Sequence, residues 1–333
     1  MKIDDYIFIE SIGKGAYSEV FLAMKKGSDV KYAVKKYKRA SIEGTSYYDV
    51  LNTEIKIMWK YNHKNIIKVH DIKKTINSFY EFLDYCNGGT LSKNLENYQS
   101  RYGKPFSQEI VQYLMKQIID GLKILHDDNY NHENINLNSI LVNFDTEMDK
   151  EEINMMKSTI KISHLKNLTE KKNSLKKLFF LMNLGIICYE MIFGKKEYDL
   201  DKVKLKFNSI EEGNYNSPFI LSKEIISFMK ELFFNYENME IEDLLSHTFL
   251  TKNIKDFELI EQKVSDQKNQ NEIDNKHLCS FCTAIPSDII LSPCGHKCFC
   301  KYCYLYLKEN NSFEKCPICG KHIESVIEKV YEI

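Results

Sequence analysis

Residues 11–37 read SIGKGAYSEVFLAMKKGSDVKYAVKKY. Two β-rich runs, YIFIESIG (6–13) and SEVFLAM (18–24), flank a turn that contains Gly13 and Gly15. VKYAVKKY (30–37) follows with the period-two alternation of a third strand, which carries Lys35. Glycines in such a turn let backbone N–H groups approach a phosphate closely. Taken alone, a Gly-x-Gly also fits a plain hairpin, so the segments around it decide what it is.

Working outward, residues 48–60 read as a helix and NSFYEFLDYC (77–86) as a strand ending at Asn87-Gly88-Gly89. From 106 to 250 the pattern is helical. The clearest case is FSQEIVQYLMKQIIDGLKILHDDN (106–129), with Ser107 placed to cap it and Glu109 close to the capping-box position. The apolar run LFFLMNLGIICYEMIF (178–193) is shorter than the roughly 20 residues of a membrane span and contains Asn183 and Glu190, so it reads as a buried core helix. After Leu250 the composition changes to a polar, charged linker over 251–277. There is no internal repeat.

The 333 residues leave room for a large domain and a smaller module, and 43% hydrophobic content lets most of the chain bury a core. A formal net charge of −1 gives no whole-chain field toward nucleic acid or a membrane surface. The N-terminus, MKIDDYIFIE, lacks the basic and apolar stretches of an export signal, so an intracellular protein, cytoplasmic or nuclear, is expected. Arginine occurs only at positions 39 and 101.

Eight of the ten cysteines fall between 279 and 319; Cys86 and Cys188 stand alone in apolar surroundings. The order is Cys279-x2-Cys282-x11-Cys294-x-His296-x3-Cys300-x2-Cys303-x12-Cys316-x2-Cys319. A Cys-x2-Cys turn brings two thiolates to one Zn²⁺, whose tetrahedral site needs two further donors. Eight donors make two closed sites with no open position for a catalytic water. A module of about 55 residues has a small core, and structural zinc contributes on the order of 10–16 kcal/mol of apparent binding free energy.

This order, with the phrases PCGH and CPIC, resembles a RING-type zinc finger of the inhibitor-of-apoptosis-like C3HC4 kind over residues 278–333. The resemblance implies one zinc on Cys279, Cys282, Cys300 and Cys303 and a second, cross-braced, on Cys294, His296, Cys316 and Cys319. Cys298 is left over and competes with Cys300 as the fifth ligand; Cys300 keeps a Cys-x2-Cys knuckle with Cys303. RING domains act as ubiquitin-protein ligases by docking a ubiquitin-charged conjugating enzyme, so the gain in rate comes from positioning. Phe281, Pro317 and Ile318 would form the docking face, while Ile285 and Leu291 fit either that face or the core. Gly320, followed by Lys321, stands where active members often carry an arginine. The tail HIESVIEKVYEI either pairs two modules through Tyr331 or Ile333 or completes the module's own core.

Residues 1–250 resemble a eukaryotic protein kinase, which implies a two-lobed α+β fold. SIGKGAYSEVFLA matches the glycine-rich loop, with Gly13 and Gly15 at the phosphates and Val20 over the adenine. YAVKKY places Lys35 as the phosphate-pairing lysine, and Glu54 as the helix glutamate that pairs with it. EFLDYCNGGTL resembles the segment between the lobes, and YEMIFG and LLSHTFL resemble later helical landmarks.

The chemistry of that resemblance is missing from NHENINLNSILV (131–142). Aligned on His132 and Ile140-Leu141-Val142, the loop puts Asn134 at the catalytic aspartate, Asn136 at the lysine and Ser139 at the metal-binding asparagine. An amide accepts a hydrogen bond but takes no proton near neutral pH. In TIKISHLKNL (159–168), His164-Leu165-Lys166 replaces Asp-Phe-Gly, removing the carboxylate that Mg²⁺ prefers. The activation segment shrinks to residues 168–174. The resemblance therefore implies a pseudokinase. Nucleotide binding through Gly13, Gly15, Val20, Lys35 and Glu54 is weak or metal-independent, or else Lys35 and Glu54 merely hold a helix to the small lobe.

The expectation is a ubiquitin ligase that uses two Zn²⁺, a conjugating enzyme, ubiquitin and a protein substrate, with the kinase-like region for recruitment or regulation. Two alternatives are an active ATP-dependent kinase with a zinc-bound regulatory tail, and a non-enzymatic adaptor.

Overall fold

The structure is a computed structural model; the residues it describes are 2–3, 5–15, 17–132, 134–165, 168–170, 174–211, 221–234, 240–252, 289–299, 304, 315–316 and 318–328. The chain divides into two compact units, 1–198 with 223–254, and 199–222 with 255–333.

The first unit begins with strands β1 (Lys2–Ile3), β2 (Tyr6–Lys14), β3 (Ser18–Lys25) and β4 (Lys31–Lys38). Helices α1 (Arg39–Ile42) and α2 (Ser46–Lys60) intervene before β5 (Val69–Lys74) and β6 (Ser78–Asp84). These six strands form an antiparallel sheet in the order β1-β2-β3-β4-β6-β5. Because side chains alternate along a strand, Val34, Tyr80 and Phe82 share one face and pack with Tyr6 and Ala23. Lys35, Tyr37, Phe79 and Glu81 occupy the other.

Asn87-Gly88-Gly89 makes the expected turn. The Asn87 amide donates to Phe144 O at 3.1 Å, and its oxygen accepts from Phe144 N at 2.8 Å. A Cβ at Gly88 would stand 2.7 Å from the Phe144 ring, so only glycine fits there. Strand β7 (Gly89–Thr90) then leads into helix α3 (Leu91–Tyr102), whose first turn is capped by Thr90 Oγ1 accepting from Lys93 N.

Helix α4 (Gln108–Asp127) buries Val111, Leu114, Met115, Ile118, Ile119, Leu122 and Leu125, the three-and-four spacing of one helical face. Ser107 sits at its N-cap position with extended backbone, yet its side chain makes no cap hydrogen bond, contrary to the sequence expectation. Glu109 lies buried in the first turn instead. Strands β8 (Tyr130–His132) and β9 (Ile140–Phe144), helix α5 (Glu147–Glu151) and strands β10 (Ser158–Ile162) and β11 (Leu168–Glu170) follow. Strand β9 lies between β10 and β7, and β11 pairs with β8. Helix α6 (Ser174–Phe193) holds Leu184, Ile187 and Cys188 in the core, and among the described residues no helix is long and apolar enough to cross a membrane. Helix α7 (Leu200–Glu211) belongs to the second unit; α8 (Lys223–Phe234), α9 (Ile241–Ser246) and α10 (Thr248–Thr251) complete the first.

In the second unit, β12 (Ile289–Ser292) lies between β13 (Lys297–Phe299) and β14 (Ser325–Glu328), all antiparallel. Ile289, Leu291, Cys298, Phe299, Tyr304 and Cys316 form its core, with Val326 packed against them. Leu291 is thus a core residue. The tail segment 325–328 completes this module's own sheet. Phe281, Ile285, Pro317, Tyr331 and Ile333 lie outside the described residues.

Candidate functional site

The turn between β12 and β13 is set by Gly295, whose φ of 73° lies in the left-handed region. Its N–H donates to Leu291 O at 2.7 Å, and Leu291 N donates to His296 O at 2.9 Å. That closure puts Cys294 and His296 side by side. A second turn returns at Gly320, φ 68°, where Gly320 N donates to Cys316 O at 2.8 Å and holds Cys316 near Cys319. The Sγ atoms of Cys294, Cys316 and Cys319 and a ring nitrogen of His296 all lie within 4.8 Å of one another.

Three sulfurs and one imidazole nitrogen form the donor set of a closed tetrahedral zinc site. Electrostatics prepares it as well. Burial by itself would raise the Cys316 pKa, but the backbone N–H groups of Cys319 and Ile318 and the neighbouring thiols pull it below the usual thiol range, which favours the thiolate that a metal takes. The six described cysteines are free thiols. Cys298 is not one of the four donors. It is fully buried in the module core with its Sγ 3.8 Å from that of Cys316, and burial raises its pKa to about 12. The other four expected ligands, Cys279, Cys282, Cys300 and Cys303, lie outside the described residues. Ile318 is exposed, next to Cys319 of the four-residue cluster.

In the first unit, the hairpin of β2 and β3 sets Gly13 facing Val20, and Gly15 N donates to Ser18 O at 2.7 Å. Neither glycine has positive φ, and a Cβ on either would meet only ordinary contacts. Among the described residues nothing therefore requires glycine at these two positions. Val20 and Lys35 are cross-strand neighbours.

The expected pairing of Lys35 with Glu54 is not formed. Glu54, on α2, is buried and its Oε2 has no hydrogen-bond partner. Lys35 Nζ instead stands 5.5 Å from the centre of the Tyr37 ring, an arrangement favoured by the negative face of the aromatic ring. Tyr37 donates its hydroxyl to Glu81 Oε2 at 3.1 Å. Glu81 has zero exposure and faces Lys35 directly across the sheet. The sequence reading missed this pair, although an acid in the middle of an apolar strand was its signal.

In the loop after β8, Asn136 and Ser139 bond to each other. Asn136 N donates to Ser139 Oγ at 3.0 Å, and Ser139 Oγ donates to Asn136 O at 2.8 Å. The Asn136 amide also donates to Asn134 O at 3.0 Å and to its Oδ1 at 3.3 Å. His132 is fully buried, its Nε2 3.0 Å from Ser163 O, and burial pushes its pKa down. Ser163 donates its hydroxyl to Ser139 O at 2.9 Å. The next residue, His164, is exposed and has φ 61° in the left-handed region. Asn134, Ser139 and His164 thus stand at the ends of β8, β9 and β10, and none of them carries a carboxylate.

A protein kinase domain model matches residues 6–255. The chain belongs to the protein kinase family. A C3HC4-type RING zinc finger model matches residues 275–326, so this kinase-family chain also carries a RING finger. Its curated relatives include serine/threonine-protein kinase PLK4 of Xenopus tropicalis, 22% identical over 268 residues, covering 74% of this chain and 27% of that protein. PLK4 of Drosophila virilis is 22% identical over 263 residues, 75% of this chain and 33% of that protein. Serine/threonine-protein kinase atg1 of Dictyostelium discoideum is 25% identical over 286 residues, 77% and 40% respectively. The chain spans less than half the length of each of these three relatives. The paired glycines, Lys35 and the four-donor cluster all fall within the two matched regions.

Proposed function

We propose that this protein is a RING-type ubiquitin ligase whose kinase domain has lost phosphate transfer and serves substrate recruitment or regulation. The observation that carries the reading is the convergence of Cys294, His296, Cys316 and Cys319 within a segment that matches the RING family. Zinc bound there would fix the turn at Gly320 and with it the exposed Ile318 of the docking face. A second zinc on Cys279, Cys282, Cys300 and Cys303 completes the proposal, with Phe281 and Pro317 as further docking residues. The ligase holds a ubiquitin-charged conjugating enzyme in the conformation that a substrate lysine attacks, so its catalytic contribution is orientation.

Loss of phosphate transfer follows from Asn134, Ser139 and His164. Asn134, at the position of the base, takes no proton from a substrate hydroxyl, and neither Ser139 nor His164 supplies a carboxylate to Mg²⁺. The cleft keeps Gly13, Gly15, Val20 and Lys35 and takes a nucleotide without a metal ion.

Autoubiquitination with a panel of conjugating enzymes tests the ligase reading. Activity that is lost in both Cys279→Ser and His296→Ala supports it; no activity with any enzyme of the panel contradicts it. A second reading, an active kinase with a zinc-bound tail, draws on Gly13, Gly15 and Lys35 and on the names of the relatives. Phosphate transfer abolished by Lys35→Ala would favour it. Binding of a conjugating enzyme without ubiquitin discharge would favour an adaptor, in line with Gly320 at the position of the expected arginine.

A further inference from the structure

Helix α9 packs against α4, and the contact brings three metal-ligating side chains together. His126 lies one residue before the end of α4, while Glu240 is the N-cap of α9 and Glu242 stands in its first turn. A ring nitrogen of His126 and a carboxylate oxygen from each glutamate all lie within 4.8 Å of one another. The two glutamates are exposed, but His126 is only 6% exposed, its ring stacked on that of Phe180 with 6.2 Å between centroids and 16° between planes. Two surface carboxylates alone would be an ordinary solvated face. A buried imidazole beside both makes a mixed nitrogen and oxygen donor set.

We propose that His126, Glu240 and Glu242 form a site for a divalent transition ion of the zinc class, separate from the cysteine cluster, which ties α9 to α4.

Zinc takes imidazole nitrogen and carboxylate oxygen at about 2.0–2.2 Å, so donors around one ion stand roughly 3–4 Å apart. The two exposed glutamates reach that spacing by a small rotation of their side chains, and water fills the remaining position. The imidazole turns the preference toward zinc and away from Mg²⁺ and Ca²⁺, which take oxygen donors. The charges nearby agree. Lys123 Nζ lies 2.8 and 2.6 Å from the two carboxylate oxygens of Asp127 and 3.3 Å from Glu242 Oε1. It offsets one of the three carboxylates Asp127, Glu240 and Glu242; a divalent cation offsets the other two. Asp127 keeps Lys123 paired when Glu242 turns to the metal. Glu240 spends one acceptor on the Asp243 N–H in the capping box, and its carboxylate has a second oxygen for an ion. His126 also lies in the last turn of the 20-residue α4, where the negative end of the helix dipole favours a cation.

Zinc content of the full-length protein, equilibrated with buffered free zinc in the presence of excess Mg²⁺, tests this against a variant carrying Glu240→Gln and Glu242→Gln. Both positions are exposed, and Glu240→Gln keeps an acceptor for the Asp243 N–H. The native chain is expected to hold one zinc more than the variant. In X-ray absorption that additional ion should show nitrogen and oxygen neighbours without sulfur, which separates it from zinc held by cysteine. Equal zinc content overturns the inference and leaves the three residues as an ion-paired cluster only. An additional ion with sulfur neighbours overturns it as well. Neither result touches the ligase reading, because the variant leaves Cys294, His296, Cys316 and Cys319 in place.

Discussion

Lys161 Nζ on β10 lies 3.0 Å from Asp84 Oδ2 on β6, an ion pair that ties the end of the strand-rich lobe to the strand preceding His164. The same carboxylate accepts from Lys68 N at 3.0 Å and meets His70 Nε2 at 2.7 Å. Nearby, Ile162 N donates to Asn65 O and Ile67 N to Ile162 O, each at 2.9 Å, so the junction is held by backbone as well as by charge.

Asp84 gives a pH-dependent prediction. Burial alone would raise its pKa, but the His70 bond, the Lys161 charge and the Lys68 N–H together hold it below the usual 3.8. A carboxylate with a depressed folded-state pKa stabilises the fold above its unfolded pKa, and that contribution is lost as pH falls through the folded value. Asp84→Asn is expected to cost about 1.5–3 kcal/mol at pH 7, the range for a hydrogen bond to a charged group. Urea unfolding at pH 7 and again below pH 3 checks it, because the two proteins should converge at the lower pH.

Gly121 on α4 marks where that helix meets the segment before β5. A Cβ there would stand 2.9 Å from Asn65 O and 2.9 Å from Ile162 Cδ1, and a backbone oxygen has little room to retreat. Gly121→Ala should destabilise by about 1–3 kcal/mol despite the better helix propensity of alanine. The denaturant midpoint is the measurement; an unchanged or raised midpoint would show that the helix approaches less closely.

Cys298 separates a core thiol from a ligand. Its place among Ile289, Leu291 and Phe299 predicts that Cys298→Val retains full zinc content. Cys300→Val and Cys316→Ser should each lose zinc. Elemental analysis of the three variants decides the matter, and loss of zinc in Cys298→Val would move the ligand assignment to that residue.

Phosphate transfer gives a fourth prediction. The native protein should transfer no labelled phosphate from ATP to itself or to a generic substrate protein. Lys35→Ala should leave that background unchanged. Transfer that Lys35→Ala abolishes would instead establish a working kinase.

Much of this arrangement could be read from local sequence signals. The glycine hairpin, the strand bearing Lys35, the amphipathic α4 and the Pro293-Cys294-Gly295-His296 turn are set by neighbours within a few residues, and alternation or glycine conformation reports them directly. What escaped the sequence depends on partners far along the chain. Lys35 is oriented by Tyr37 and faced by Glu81, more than forty positions away, and strand periodicity places Glu81 on a face without saying what stands opposite. The resemblance to kinases supplied Glu54 as the partner, but the fold leaves that carboxylate buried and apart. Ser107 has a capping residue's identity and backbone without the hydrogen bond, which depends on a rotamer that no pattern of residue types records.

The most direct test of the ligase claim is discharge of ubiquitin from a charged conjugating enzyme to free lysine, comparing native full-length protein with His296→Ala. The native chain is expected to accelerate discharge, and the variant to fall to the rate of the conjugating enzyme alone. Equal rates with native protein, variant and no added protein, across a panel of conjugating enzymes, would contradict it.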